Sequence, residues 1–263
     1  MTAPSHPGDG WSLGLQDAVS VVIGASEGIG AAIAVGLVKA GALVIAAGRD
    51  PQRMGATVEQ AQAAGGQVHV HPVDVRDPDA VTTFSRAVLH QHGAPRVLVN
   101  SMGGSLIKDL LDVDVEEWDD LHHTHLRGTF LTCTAFAPAM AEQGYGKIVN
   151  LSSTAAYLIN PGRSVYSVAK AGLNQLTAAL ALEWGPQGIR VNGLAPSTTR
   201  TPRAEGALAR EPGREASLVE RTPLRRIATP EDMVGPALFL ASPMSDFVTG
   251  HTLLVDGGWT ISR

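Results

Sequence analysis

The sequence predicts an α/β domain: a doubly wound parallel sheet of seven strands with helices on both faces. Three observations carry this. Strand-like apolar runs alternate with helix-compatible runs along the chain, the strand runs are apolar almost throughout, and seven of them fill 263 residues without a domain break. A strand covered on both faces meets no water on either side, so it reads as a continuous apolar run and not as an alternating one.

The first β-branched run, Ala18 to Gly24, ends in glycine and is followed by a helical run from Ala31 that closes on Gly41. The alternation continues with Leu43 to Ala47 as strand, Pro51 to Ala64 as helix, Gln67 to Val73 as strand, Pro78 to His92 as helix and Arg96 to Asn100 as strand. One long helix is expected from about Val115 to Gln143. After it come a strand from Lys147 to Ser152, a helix from about Val165 to Trp184 and a strand from Ile189 to Ala195. Residues 197–226 show no period and are expected to form a mobile lobe over a site. A short helix from Pro230 to Ala241 and a strand from His251 to Gly258 complete the domain, which spans 18–263. Residues 1–17 lack the basic start and apolar run of a secretion signal and are expected to be a flexible lead-in.

A hydrophobic fraction of 44% gives enough apolar surface for one large core. Cys133 is the only cysteine, which rules out a disulfide within one chain and points to a reducing, cytoplasmic location. No apolar run reaches the length of a membrane span. With a net charge of −5 and no basic cluster, nucleic acid is not an expected partner.

The chemistry concentrates between Ser152 and Lys170. Tyr166 and Lys170 are four residues apart on a predicted helix and therefore share a face. A phenol titrates near ~10, so roughly 4 kcal/mol of preferential phenolate stabilisation separates it from work at neutral pH. Lys170 and a nearby cofactor cation are expected to supply it, while Ser153 holds a substrate oxygen. Earlier in the chain, Gly24, Gly28 and Gly30 lie between the first strand and its helix. Their missing side chains let a backbone approach a pyrophosphate at the helix N-terminus.

These glycines, the Ser153, Tyr166 and Lys170 set, Asp74 after the third strand, VNSMGG at Val99 to Gly104 and TGHTLLVDGGW at Thr249 to Trp259 together resemble the short-chain dehydrogenase/reductase family. The resemblance covers nearly all of the chain after residue 17. It implies a Rossmann-type domain that binds NAD(H) or NADP(H), moves hydride to or from a carbonyl or alcohol carbon of a small molecule, and assembles as a homotetramer or homodimer. Tyr166 is then the general acid/base, Lys170 lowers its pKa and binds the nicotinamide ribose, and Ser153 holds the substrate oxygen. The implied cofactor positions are Gly24, Ser26, Gly28, Ile29, Gly30, Asp74, Val75, Asn100, Gly103, Tyr166, Lys170, Pro196 and Thr201. Ser101, Met102 and Ser197 depart from the family pattern. So does His125, which stands where the family has an asparagine that bends a helix and orders a water beside the lysine. A histidine there either passes protons itself or fills the space. His122, His123 and His125 on one helix point in different directions, so no metal site is expected.

The end of the second strand carries Gly48 where NAD-selective enzymes place an acid, and Arg49 follows it. Both favour NADP(H), with NAD(H) open. Glu27 opposes a 2′-phosphate by about 1 kcal/mol at water-like dielectric. Seven arginines in the lobe, Arg200, Arg203, Arg210, Arg214, Arg221, Arg225 and Arg226, suit an anionic or carrier-linked substrate and hence a 3-oxoacyl-carrier-protein reductase-like activity. The other reading pairs them with Glu205, Glu211, Glu215 and Glu220. A catalytically impaired, cofactor-sensing protein of the same fold is the alternative to an enzyme. A dehalogenase-like lyase is disfavoured because Lys170 and the three glycines are kept.

Overall fold

A computed structural model describes residues 12–209 and 212–262. Its strands are β1 (Val19–Ile23), β2 (Leu43–Gly48), β3 (Val68–Pro72), β4 (Val97–Asn100), β5 (Gly146–Leu151), β6 (Ile189–Pro196) and β7 (Thr252–Val255). They form one sheet in the order β3-β2-β1-β4-β5-β6-β7, every pair parallel. The expected seven-stranded architecture is therefore present.

The helices are α1 (Gly28–Lys39), α2 (Gly55–Ala63), α3 (Pro78–His92), α4 (Val115–His122), α5 (Gly128–Glu142), α6 (Ser164–Trp184), α7 (Pro202–Ala209), α8 (Arg214–Arg221) and α9 (Val234–Ala241). They cover the sheet from two sides, and the strands show why their runs are apolar throughout. Val22 packs with Ile33 and Leu37 of α1 and Leu240 of α9, whereas its neighbours Val21 and Ile23 pack on the other face with Phe84 of α3 and Phe136 of α5. Each such side chain, fully buried, contributes roughly 1.5–3 kcal/mol.

Strand order reverses between β1 and β4, so the connections leaving their carboxyl ends go to opposite faces and open a crevice between them. Gly24 and Ser101 stand at its two lips, joined by the Ser101 N–H to the Ile23 carbonyl at 2.8 Å.

The structure revises three expectations. The helix over Val115–Gln143 is not uniform: a π turn at His123–Arg127 separates α4 from α5, with the Gly128 N–H reaching back to the His123 carbonyl. The extra residue leaves no mark on the apolar period. Gly128 makes room for it, since a Cβ there would lie 2.7 Å from Val75 Cγ2. Residues 197–226 contain α7 and α8, helices too short and too polar to show a period. The expected lead-in falls at 1–11 outside the described residues, and its last residues belong to the fold, because Leu15 is 2% exposed and the Asp17 N–H bonds the Gly41 carbonyl.

β3 carries His69 and His71. They face α3, where the rings of His69 and His92 are 4.7 Å apart and those of His71 and His92 6.2 Å apart. Burial pushes His71 and His92 below the ordinary imidazole value, and their neighbouring rings push in the same direction. The unfolded chain therefore binds more protons than the folded one once the pH drops below ~6.5, and stability declines from there through the lowered folded values. We expect the melting temperature to fall between pH 7.5 and pH 5.5, and to fall less in His92→Gln; an equal fall in both proteins would contradict this origin.

Candidate active site

α6 places Tyr166 and Lys170 on one face because Val165, Ala169 and Leu173 of the same helix are buried. That face turns toward the carboxyl end of β5. Lys170 is 3% exposed, and its Nζ donates to the Leu151 carbonyl while standing 5.7 Å from the Tyr166 ring centroid. Removal from water disfavours the ammonium and brings Lys170 down to about 7.

Two residues past Leu151, the Ser153 hydroxyl accepts the Ala155 N–H at 3.1 Å, which fixes its rotamer and leaves its own proton free to donate. Ser153 is also the first of the groups that pull the Tyr166 phenol down. The phenol nevertheless lies above its ordinary value, because burial outweighs the downward pull of Ser153, Arg163 and Arg203. Here the structure corrects the sequence expectation: Lys170 is not among the groups that pull Tyr166 down. In this state Tyr166 is a protonated phenol at neutral pH, the form that donates.

The π turn brings His125 into the site, where it is 3% exposed and meets the Tyr166 ring edge-on at 5.5 Å. Its Nε2 lies 2.6 Å from the Gly104 carbonyl, so Nε2 carries the proton and Nδ1, buried without a partner among the described residues, is bare. Burial and then Lys170 hold the ring well below the usual imidazole range. Gly103, at φ 111°, admits the ring, since a Cβ there would lie 2.1 Å from His125 Cε1. His122 instead stacks on Trp118 at 4.2 Å, so the two histidines are not brought together, and His123 lines an open acidic hollow with Asp74 and Asp120.

The glycine turn is built for close approach. A Cβ on Gly24 would stand 2.5 Å from the Ser101 carbonyl oxygen, one on Gly30 2.2 Å from that of Gly24, and one on Gly28 2.9 Å from Thr201 Cγ2. Ser26 lies half-buried in this turn, and Ile29 packs toward the core. No side chain caps α1 and its first turn has no acid, so its leading N–H groups suit a phosphate. A dinucleotide pyrophosphate fits here.

Glu27, which opposed a 2′-phosphate in the sequence, is ion-paired with Arg53 at 3.0 Å. Arg49 follows β2, close enough to Asp74 to lower it. The Asp74 carboxylate is held by Arg76 at 2.7 Å, which also pairs with Asp120 at 2.6 Å, while α3 is capped by Asp77 and not by Asp74.

Two implied cofactor positions turn inward instead. Asn100 donates to Asn150 at 2.9 Å and accepts from Thr132 at 2.8 Å, so its side chain ties β4 to β5 and α5. Val75 is a core side chain under Gly128. Only their backbones face the crevice end of the sheet. Pro196 ends β6, and Ser197 donates to the Asp256 carbonyl at 3.3 Å.

Most of the lobe arginines are occupied. Arg200 pairs with Glu215, Arg226 with Asp232 at 2.6 Å, Arg225 donates to the Glu220 carbonyl and Arg221 lies 4.4 Å over Trp259. Arg203 reaches the site, donating to the Gly103 carbonyl at 3.3 Å. Sequence reasoning missed Arg53 and Arg163. The second had a signal, since it lies one helical turn before Tyr166.

A crevice at the strand-order reversal, a glycine turn on a helix N-terminus and a Ser-Tyr-Lys set define a nicotinamide-dependent oxidoreductase of Rossmann type. A protein-family model described as enoyl-(acyl carrier protein) reductase matches residues 24–260. Gluconate 5-dehydrogenase of Gluconobacter oxydans (strain 621H) is 37% identical over 258 residues, covering 98% of this chain and 99% of that protein. The 3-oxoacyl-acyl-carrier-protein reductase of Thermotoga maritima is 34% identical over 247 residues, covering 94% and 99%. Among solved structures, a gluconate 5-dehydrogenase from Burkholderia cenocepacia J2315 in complex with NADP and tartrate superposes with a TM-score of 0.90 at 30% identity, covering 95% of this chain and 97% of that one. The chain belongs to the short-chain dehydrogenase/reductase family and is an oxidoreductase of that family.

His125 Nε2 is bonded to the Gly104 carbonyl and its ring fills the space beside Gly103, so its contacts hold the Gly103–Gly104 segment. A His125→Asn variant should keep the shape of the pH–rate profile while its KM for the nicotinamide cofactor rises; loss of a limb of the profile would restore the relay.

Proposed function

We propose that this protein transfers hydride between NADP(H) and a carbonyl or secondary alcohol carbon, with Tyr166 as the general acid/base. The observation that carries the reading is Lys170 bonded to the Leu151 carbonyl at the carboxyl end of β5, with Tyr166 one turn earlier on α6 and Ser153 two residues past that strand end, acting on the phenol. Bound NADP(H) would supply the hydride and the ribose hydroxyls next to Lys170.

The chain's own part follows from its donors and acceptors. Ser153 gives its free proton to the substrate oxygen, which aligns the carbonyl and stabilises developing negative charge. Tyr166 passes its proton to that oxygen in reduction and takes it back in oxidation. Lys170, in its charged form, steadies the resulting phenolate. His125, whose ring meets that of Tyr166, holds the Gly103–Gly104 segment in place.

Preference for NADP(H) rests on Arg49 and Arg53. Pairing with Arg53 neutralises the carboxylate that would repel a 2′-phosphate, and Arg49 offers a guanidinium directly after Gly48, which stands where NAD-selective enzymes have an acid. The NADP held by the Burkholderia cenocepacia relative supports this choice. A sensor without turnover loses its motive, since Ser197 bonds away from Tyr166 and His125 leaves the Ser-Tyr-Lys set complete. Assembly as a homotetramer or homodimer belongs to the same proposal, with Phe130 of α5 and Val168 of α6 exposed on helices available for pairing.

Steady-state rates should favour NADPH over NADH by tenfold or more, with Arg49→Ala narrowing the gap. Tyr166→Phe should reduce kcat by about 10²–10⁴ while retaining NADPH binding. Undiminished turnover in Tyr166→Phe would refute the acid/base assignment, and a tenfold preference for NADH would refute the cofactor assignment.

A further inference from the structure

Two guanidinium groups, one on α6 and one on the lobe, act on the Tyr166 phenol. Arg163 sits at the N-terminal edge of α6, one turn before the tyrosine, so the two side chains share a face. It is half-buried, and the charged groups that act on it are the Tyr166 phenol and another arginine, Arg214. No carboxylate of a described residue pairs with it. Arg203 comes from α7 on the lobe, and its Nη1 lies 3.3 Å from the Gly103 carbonyl and would lie 1.8 Å from a Cβ placed on Gly104. The Gly104 carbonyl in turn holds His125, whose ring touches that of Tyr166.

These two differ from the other cations of the region. Arg200 and Arg226 are neutralised by Glu215 and Asp232, and Arg221 is stacked on an indole. Arg163 and Arg203 have no such partner among the described residues, and no acidic side chain is among the groups that act on Tyr166. The half-buried Arg163 has lost hydration that only an anion or several acceptors can replace, while the exposed Arg203 adds a second guanidinium at the rim of the site. Together they suit a planar carboxylate.

We infer that the substrate is an oxo or hydroxy carboxylic acid, its carboxylate clamped between Arg163 and Arg203 while its reacting carbonyl or carbinol carbon meets Ser153 and Tyr166. This rests on the oxidoreductase reading and adds the substrate class to it. Hydride and proton add across the C=O bond in reduction and leave in oxidation, so the carboxylate is untouched and serves as an anchor only.

The test has a kinetic arm and a binding arm. In the first, kcat/KM with NADPH is measured for oxo acids of graded length, including 5-oxogluconate, for their methyl esters and for a 3-oxoacyl thioester. The best acid should exceed its own ester by about tenfold or more, and Arg163→Gln and Arg203→Gln should each lower that acid-to-ester ratio by about tenfold, with Arg163→Lys keeping part of it. Esters or thioesters turned over as well as the acids, with Tyr166 still required, would overturn the clamp and leave the oxidoreductase reading standing. In the second arm, gluconate is titrated calorimetrically into the protein and into both glutamine variants, each first checked by its melting curve. Binding that weakens about tenfold in folded variants supports the clamp even where no turnover is seen. Equal binding in all three proteins, or none in the wild type, overturns it.

Discussion

A buried ammonium with a single carbonyl partner governs this site. Among the described residues the Lys170 ammonium donates to the Leu151 carbonyl, so a slide or rotation of α6 along the end of β5 would take that partner from a buried cation. Such a displacement costs several kcal/mol. One helical turn earlier on the same face, Tyr166 is carried to Ser153, which follows β5 by two residues. The catalytic geometry is thus a consequence of strand and helix packing, not of a loop that must be ordered separately. Burial has an electrostatic result as well: the phenol moves up and the ammonium moves down, which drives their titrations apart.

The remaining charges are arranged around that group by sign. On the cofactor side, acids are neutralised in place, Glu27 by Arg53 and Asp74 by Arg76. On the substrate side, cations are left facing the phenol from α6 and from the lobe. Thr201 against Gly28 and Arg203 against Gly103 show that the lobe rests directly on the glycine turn and on the loop after β4, so substrate and cofactor walls are physically continuous.

Much of this was legible in the sequence. Strands declared themselves because both their faces are buried, and Tyr166 with Lys170 declared itself because a helix of period 3.6 leaves little freedom at i and i+4. The glycine turn was readable for the same reason of enforced geometry. What stayed hidden depends on partners distant in the chain. The apolar period does not mark the π turn, beside which Gly128 packs on Val75, or the Glu27 to Arg53 pair, formed across 26 residues. Asn100 looked like a cofactor ligand by position, yet a buried amide must find partners, and Asn150 and Thr132 lie inward. The lobe arginines misled by number, since most bond within the fold, while Arg163 was overlooked outside it.

The charge state of Lys170 can be observed directly. The chain has only four lysines, Lys39, Lys108, Lys147 and Lys170, so their side-chain carbons can be resolved in a ¹³C NMR titration of lysine-labelled protein and assigned by a Lys170→Met variant. The account predicts that the resonance lost in the variant titrates at about 7 in the cofactor-free protein. A Lys170 resonance that titrates at the ordinary lysine value of 10.5 would mean that the ammonium is solvated, and that the tether between α6 and β5 does not set the site.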